Sequence, residues 1–171
     1  MLITRGRLAK VMTLLLVMSA SDLQSQPATP GKRAPDINLP TLAGGRFDLS
    51  KLRGSAVVVS FWGTWCPPCR KEFPELVRVQ AEHAQAGLRV VAVNGRDQEE
   101  SIDDVERFVS AFAVTFPVAL DKRGAVRRAY RIVGQPTTVF IDSGGIVRKV
   151  HVGLIERDDL DKGIALILPS P

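Results

Sequence analysis

The sequence predicts an α/β sandwich with a mixed central β-sheet, and three observations predict it. Ala56–Trp62 and Leu88–Asn94 are short runs rich in β-branched and aromatic residues, apolar almost throughout, as strands buried on both faces are. Segments with apolar residues at helical spacing follow them, which implies parallel strands joined by right-handed crossovers. Near the C-terminus, Thr137–Asp142 and Ile146–Gly153 flank the turn Ser143-Gly144-Gly145, which adds an antiparallel hairpin.

In chain order, Ile37–Leu42 and Phe47–Leu49 read as an N-terminal hairpin turning at Gly44-Gly45. Ala56–Trp62 is the central strand. A helix follows from about Pro67 to Ala86, with Phe73, Leu76, Val77, Ala81 and Ala84 as its apolar stripe. Pro67 and Pro68 suit a first helical turn, where backbone donors lack partners anyway, whereas Pro74 should kink the helix. After Leu88–Asn94, Ser101 is placed to cap the next helix with Asp104 three residues on, and Ile102, Val105, Phe108, Val109 and Phe112 form the stripe. Phe116–Asp121 is a short strand and Arg123–Tyr130 a short helix. The closing helix carries Leu160, Ile164, Ile167 and Leu168.

The chain has 171 residues, 45% hydrophobic and 24% charged, enough for one sizeable core. The net charge of +5 is partly a leader effect. Arg5, Arg7 and Lys10 fall in the first 21 residues, which hold no acid, and the remainder carries 20 bases against 18 acids. No basic run is interleaved with aromatics, so nucleic-acid binding is not expected, and a solvated helix face accounts for the doublet Arg127-Arg128. The apolar run Val11–Val17 follows the leader's cations and precedes Met18-Ser19-Ala20, the layout of a secretory signal. It is shorter than the ~20 apolar residues a membrane span needs. Residues 1–21 are therefore expected to be a signal peptide cut near Ala20 or Ser21. Bulky Met18 at a position that prefers small residues keeps open an uncleaved anchor in the inner membrane. Either way the expected compartment is the periplasm. Residues 22–33, with Pro27 and Pro30, read as a linker, and 34–171 as the single folded domain.

Both cysteines of the chain lie in "SFWGTWCPPCRKEFPEL", Ser60–Leu76. A structural disulfide across two residues would close a very small loop and constrain the unfolded chain little. Structural zinc wants four ligands, and His83 and His151 have no ligand spacing to the pair. Copper(I) accepts two thiolates, so a copper-binding, metallochaperone-like module is one alternative. The third reading is a redox dithiol, for which a Cys-x-x-Cys between a buried strand and a helix N-terminus is well placed. Cys66 would cap the helix, with its thiolate favoured by the helix dipole. Cys69, the third helical residue and the more buried, would resolve the mixed disulfide that Cys66 forms. Pro67 and Pro68 have no N–H, which leaves chiefly the Cys69 N–H to stabilise the Cys66 thiolate and tilts the pair toward giving electrons. Trp62 and Trp65 should pack around the pair, with Trp65 also touching substrate. Tyr130 and Phe140 read as core, Asp142 as the end of a strand, and His151 as an exposed strand residue.

Together, "FWGTWCPPCRKEFPEL" and "VGQPTTVFID", with "APDINL" and "LSKLRG" before them, resemble the thioredoxin superfamily, and within it the TlpA/ResA-like extracytoplasmic thiol–disulfide oxidoreductases of the redoxin family. The resemblance spans most of Ala34–Leu168. It implies a thioredoxin-like three-layer sandwich with an N-terminal hairpin and an inserted helix. It also implies that Pro136 is a cis-proline facing the cysteines, with the Gln135 backbone as an edge for an extended substrate, Trp65 and Pro67 beside it. Many thioredoxins carry a carboxylate six residues before the first cysteine. Here Ser60 holds that position, and Glu72, one helical turn after Cys69, is the expected proton shuttle. A peroxidase of the related peroxiredoxin group needs a threonine where this chain has Gly63. The function implied is reduction of disulfides in exported proteins, without a cofactor beyond the Cys66–Cys69 disulfide. Apocytochrome c or a copper-site cysteine pair would be the substrate, a membrane thiol carrier the electron donor, and the protein a monomer. A disulfide-forming oxidase or isomerase shares the same residues and is the remaining alternative.

Overall fold

A computed structural model describes residues 28–169; the expected leader, residues 1–21, lies outside them. Eleven elements follow in order: β1 (Asn38–Pro40), β2 (Arg46–Asp48), β3 (Ala56–Trp62), α1 (Pro67–His83), β4 (Leu88–Asn94), α2 (Ile102–Ala111), β5 (Val118–Leu120), α3 (Ala125–Ala129), β6 (Thr137–Ile141), β7 (Val147–Val152) and α4 (Arg157–Ala165). The main sheet has the order β5-β4-β3-β6-β7. β3, β4 and β5 run parallel, and β6 and β7 are antiparallel additions, as the crossovers and the late hairpin require. This is the thioredoxin-like fold.

Every residue of β3 is buried, because helices or loops cover both faces of the central strand. Alternation sends Ala56, Val58 and Trp62 to a core shared with α1, α2 and α4, and Val57, Val59 and Phe61 to a second core with Ile37, Tyr130 and Val139. Ser60 falls by the same alternation on the α1 side, which decides what it meets. The hairpin β1–β2 forms its own two-stranded sheet and shields the β5 edge: Thr41 bridges Ala119, and the Leu42 N–H donates to Val118 O at 2.9 Å.

Two boundaries differ from the sequence reading. The last residues of the expected linker lie along β7: Val147 N–H donates to Lys32 O at 2.9 Å and Gly31 N–H to Val147 O at 2.8 Å. α1 stops at His83, before the left-handed Gly87 (φ 91°), and its buried stripe continues through Val79, while Ala81 is exposed. Residues 73, 76 and 79 keep one face at three-residue steps, whereas 77, 81 and 84 drift toward solvent. Pro74 sits exposed inside this helix.

Candidate active site

β3 ends at Trp62, and Gly63-Thr64-Trp65 carries the chain to α1. Cys66 is the N-cap in extended conformation, with Pro67 and Pro68 at the first two helical positions. Cys66 and Cys69 are joined in a disulfide, their Cα atoms 5.3 Å apart. Cys66 Sγ accepts the Cys69 N–H at 3.2 Å. The two intervening prolines have none to offer. The expected contrast in burial is absent, since in the disulfide Cys66 is 1% exposed and Cys69 0%. Pro67 and Pro68 above them are open to solvent.

The two tryptophans divide their roles. Trp62 is fully buried against Phe73 and Phe108, with ring centroids 4.6 and 4.5 Å away, in the core cluster that contains both cysteines. Trp65 is 52% exposed. A Cβ at Gly63 would come within 2.6 Å of Trp65 Nε1 and 3.2 Å of Gln135 Oε1. A threonine there would displace Trp65 or Gln135, so the peroxidase pattern does not fit this loop.

β3 and β6 pair with Phe61 opposite Thr137, so the residue before Thr137 lies beside the end of the central strand. That residue is Pro136, and the Gln135–Pro136 peptide bond is cis. Trp65 and Gln135 share a small cleft of about 130 Å³ with Gln98, Arg127, Ile132, Val133 and Gly134. The buried Gln135 Oε1 has no partner there.

Glu72, one turn after Cys69, is 1% exposed. Its Oε1 accepts from Thr138 Oγ1 at 2.8 Å and from Ser60 Oγ at 3.1 Å. The Ile155 N–H also favours the carboxylate, and Oε2 has no hydrogen-bond partner among the described residues. Burial pushes its proton affinity above the ordinary carboxylate range; the hydroxyls of Thr138 and Ser60, the Ile155 N–H and the charge of His151 offset this only in part. Ser60, at the strand position where many thioredoxins hold a carboxylate, is thus a donor to a carboxyl supplied by the helix. His151 is not the exposed residue expected. It is half-buried, pairs across the sheet with Thr138, and its Nε2 lies 3.0 Å from Leu154 O.

A buried acid beside the cysteine loop was not expected from sequence. Glu99 Oε1 accepts the Thr64 N–H at 2.8 Å and Asn94 Nδ2 at 2.7 Å, and Oε2 accepts the Thr64 hydroxyl. It ties the loop before Cys66 to the end of β4. Asn94, a buried polar residue closing the apolar run Val90–Val93 in register with Trp62, was the available signal.

Comparison with known proteins agrees with this geometry. A model of the AhpC/TSA family matches residues 30–150. The thiol-disulfide oxidoreductase ResA of Bacillus subtilis is 38% identical over 140 residues, covering 82% of this chain and 76% of ResA. Among solved structures, a thiol:disulfide interchange protein of the thioredoxin family from Chlorobium tepidum superposes with a TM-score of 0.73 at 32% identity, over 83% of this chain and 99% of that one. A secreted Mycobacterium tuberculosis disulfide oxidoreductase homologous to Escherichia coli DsbE superposes with a TM-score of 0.65 at 26% identity, over 75% and 94%.

Proposed function

This chain belongs to the AhpC/TSA family and is a thiol–disulfide oxidoreductase of the ResA and DsbE type, and from that premise we propose that it works as a reductase of disulfides in exported proteins. The observation that carries the direction is the poor donor set at Cys66. One backbone N–H reaches its sulfur, and Pro67-Pro68 removes two others. A thiolate with few donors is less stabilised, so the dithiol gives electrons more readily.

The reaction follows from the placement. In the reduced protein the Cys66 thiolate attacks one sulfur of the substrate disulfide, and the other substrate sulfur leaves as thiolate. Cys69, backed by Glu72, then passes its proton to the carboxylate and attacks Cys66 Sγ. The second substrate thiolate leaves, the proton returns from Glu72 to the products, and the Cys66–Cys69 disulfide described above remains. A carboxyl with raised proton affinity suits this exchange near neutral pH better than an ordinary one. Gln135, beside cis-Pro136, offers its backbone to an extended substrate, flanked by Trp65 and Pro67. A membrane thiol carrier returns the dithiol to its reduced form. The leader and the secreted relative support a periplasmic location, free or tethered through the N-terminus. The haem-attachment cysteines of an apocytochrome c are the first candidate substrate, and a copper-site pair the second.

A Cys69→Ser variant expressed in the native host tests this. It should hold Cys66 in a mixed disulfide with an exported protein, recoverable on non-reducing gels and released by dithiothreitol. Recovery of no partner would count against the shuttle, and a redox titration giving a potential as high as that of a strong disulfide-forming oxidase would overturn the direction.

A further inference from the structure

Of the 20 bases beyond residue 21, five fall in the ten residues 122–131, a stretch without an acid: Lys122, Arg123, Arg127, Arg128 and Arg131. Lys122, Arg123, Arg128 and Arg131 are exposed and make no ion pair among the described residues. The acids nearest them are already engaged. Asp121 is buried, accepting the Ala125 and Arg127 N–H groups at 2.9 and 2.8 Å, and Asp97 pairs with Arg127 at 3.0 Å. Arg127 and Arg128 crowd one spot. A Cβ at left-handed Gly124 would lie 2.8 Å from Asp97 Oδ2, 2.9 Å from Arg127 Nη2 and 3.0 Å from Arg128 Nη1, so one carboxylate already engaged by Arg127 faces two guanidinium groups.

A solvated helix face does not by itself account for this arrangement, because the basic stretch reaches the active-site cleft through Arg127 and runs on into Ile132 and Val133, which line the same cleft. Arg127 lines that cleft beside Trp65, Val133 and Gln135, and Arg131 opens the loop that leads through Val133 to cis-Pro136. Val133 is 88% exposed and faces the same cleft as half-exposed Trp65. Like charges gathered at the mouth of a site repel one another, and a bound anion relieves that repulsion. An apolar pair inside a cationic rim fits a peptide better than a membrane, since a bilayer surface does not enter a cleft of about 130 Å³.

We propose that the 122–131 rim receives an acidic stretch adjoining the disulfide of the exported substrate, an apolar residue of which sits between Trp65 and Val133. The proposal rests on the reductase reading and adds to it a substrate class. Oppositely charged partners meet faster by about 10 to 10³-fold at low ionic strength, and salt removes the gain.

The test uses the reduced full-length chain and two fluorogenic disulfide peptides, identical except for Asp and Glu, or Asn and Gln, beside the disulfide. The acidic peptide should be reduced at least about tenfold faster at low salt. The difference should vanish at high salt and in the combined variant Lys122→Gln, Arg123→Gln, Arg128→Gln, Arg131→Gln. A small uncharged disulfide should be reduced at the same rate by both proteins, which also shows that the variant is folded and active. Equal rates for the two peptides would overturn the proposal. So would an acidic preference that survives in the variant, or a variant whose sole loss is binding to anionic phospholipid vesicles. Failure of the wild-type chain on the uncharged disulfide would instead sink the reductase reading, and this proposal with it.

Discussion

Two glutamates close to the disulfide are shielded from water, Glu72 at 1% and Glu99 at 9% exposure, and they are solvated in opposite ways. Three donors from Thr64 and Asn94 occupy both oxygens of Glu99. Two hydroxyls converge on one oxygen of Glu72, and its other oxygen has no partner. A buried carboxylate whose acceptor sites are filled fixes what it touches. One that is left short holds a proton more tightly and can exchange it. Both acids are buried, and Glu72 alone of the two combines burial with an unfilled acceptor, which marks it as the proton-transfer group.

The largest effect expected from this contrast is on stability. Glu99→Ala leaves the Thr64 N–H and the Asn94 amide without their acceptor, at a cost of about 1–3 kcal/mol for each group that stays buried and unpaired. Urea unfolding of the oxidised protein measures this. A Glu99→Ala protein of unchanged stability but altered pH–rate profile would reverse the roles assigned to the two acids.

Glu72→Gln should do the opposite. The glutamine oxygen still accepts from Ser60 and Thr138, so the fold persists, while dithiol–disulfide exchange slows by about 10²-fold and loses its Glu72-dependent pH arm. Stability should also change, with a definite sign. The folded-state proton affinity of Glu72 is raised, so its contribution is fully present below the ordinary carboxylate pKa of about 4.3 and is lost as pH rises through the higher folded value. The variant lacks that loss. It should gain on wild type as pH rises over this window, and thermal melts across pH would show a constant difference if Glu72 were ordinary.

How much of this was legible in the sequence tracks how local each cause is. β3 and β4 run from Ala56 to Trp62 and from Leu88 to Asn94, as read, because strands buried on both faces leave runs that are apolar almost throughout. Cys66 and Ser101 cap their helices as expected, because a cap needs only the residue and the helix behind it. Glu99 reaches Thr64 across 35 residues, and nothing nearby in the chain announces it. Gly31 and Lys32 looked like linker because their pairing is with Val147, far along the chain. The burial of Cys66 depends on its disulfide and on the surrounding loops, which a helix-cap argument does not include. Glu72 was found by its spacing from Cys69, but the empty Oε2 that distinguishes it from Glu99 depends on how three strands and the loop before α4 meet it.

His151 gives the smallest and sharpest test of that local account. From sequence it was expected to be an exposed strand residue, yet it pairs with Thr138, the donor to Glu72, and its Nε2 holds the Leu154 carbonyl. The next N–H along, that of Ile155, belongs to the same peptide unit and faces the Glu72 carboxyl. His151 thus acts on Glu72 twice, by its charge when protonated and by fixing this peptide. Both hold the Glu72 proton affinity down, against the larger effect of burial. His151→Gln keeps a donor for Leu154 O and removes the charge. It should leave stability near wild type and move the Glu72 arm of the pH–rate profile to higher pH, because the last and smallest of the influences lowering the Glu72 proton affinity is gone. An arm that does not move would mean that Glu72 is governed by burial and its hydroxyl donors without His151, a shift to lower pH would contradict the sign assigned to His151, and an arm that moves equally in a Glu72→Gln background would show that it never belonged to Glu72.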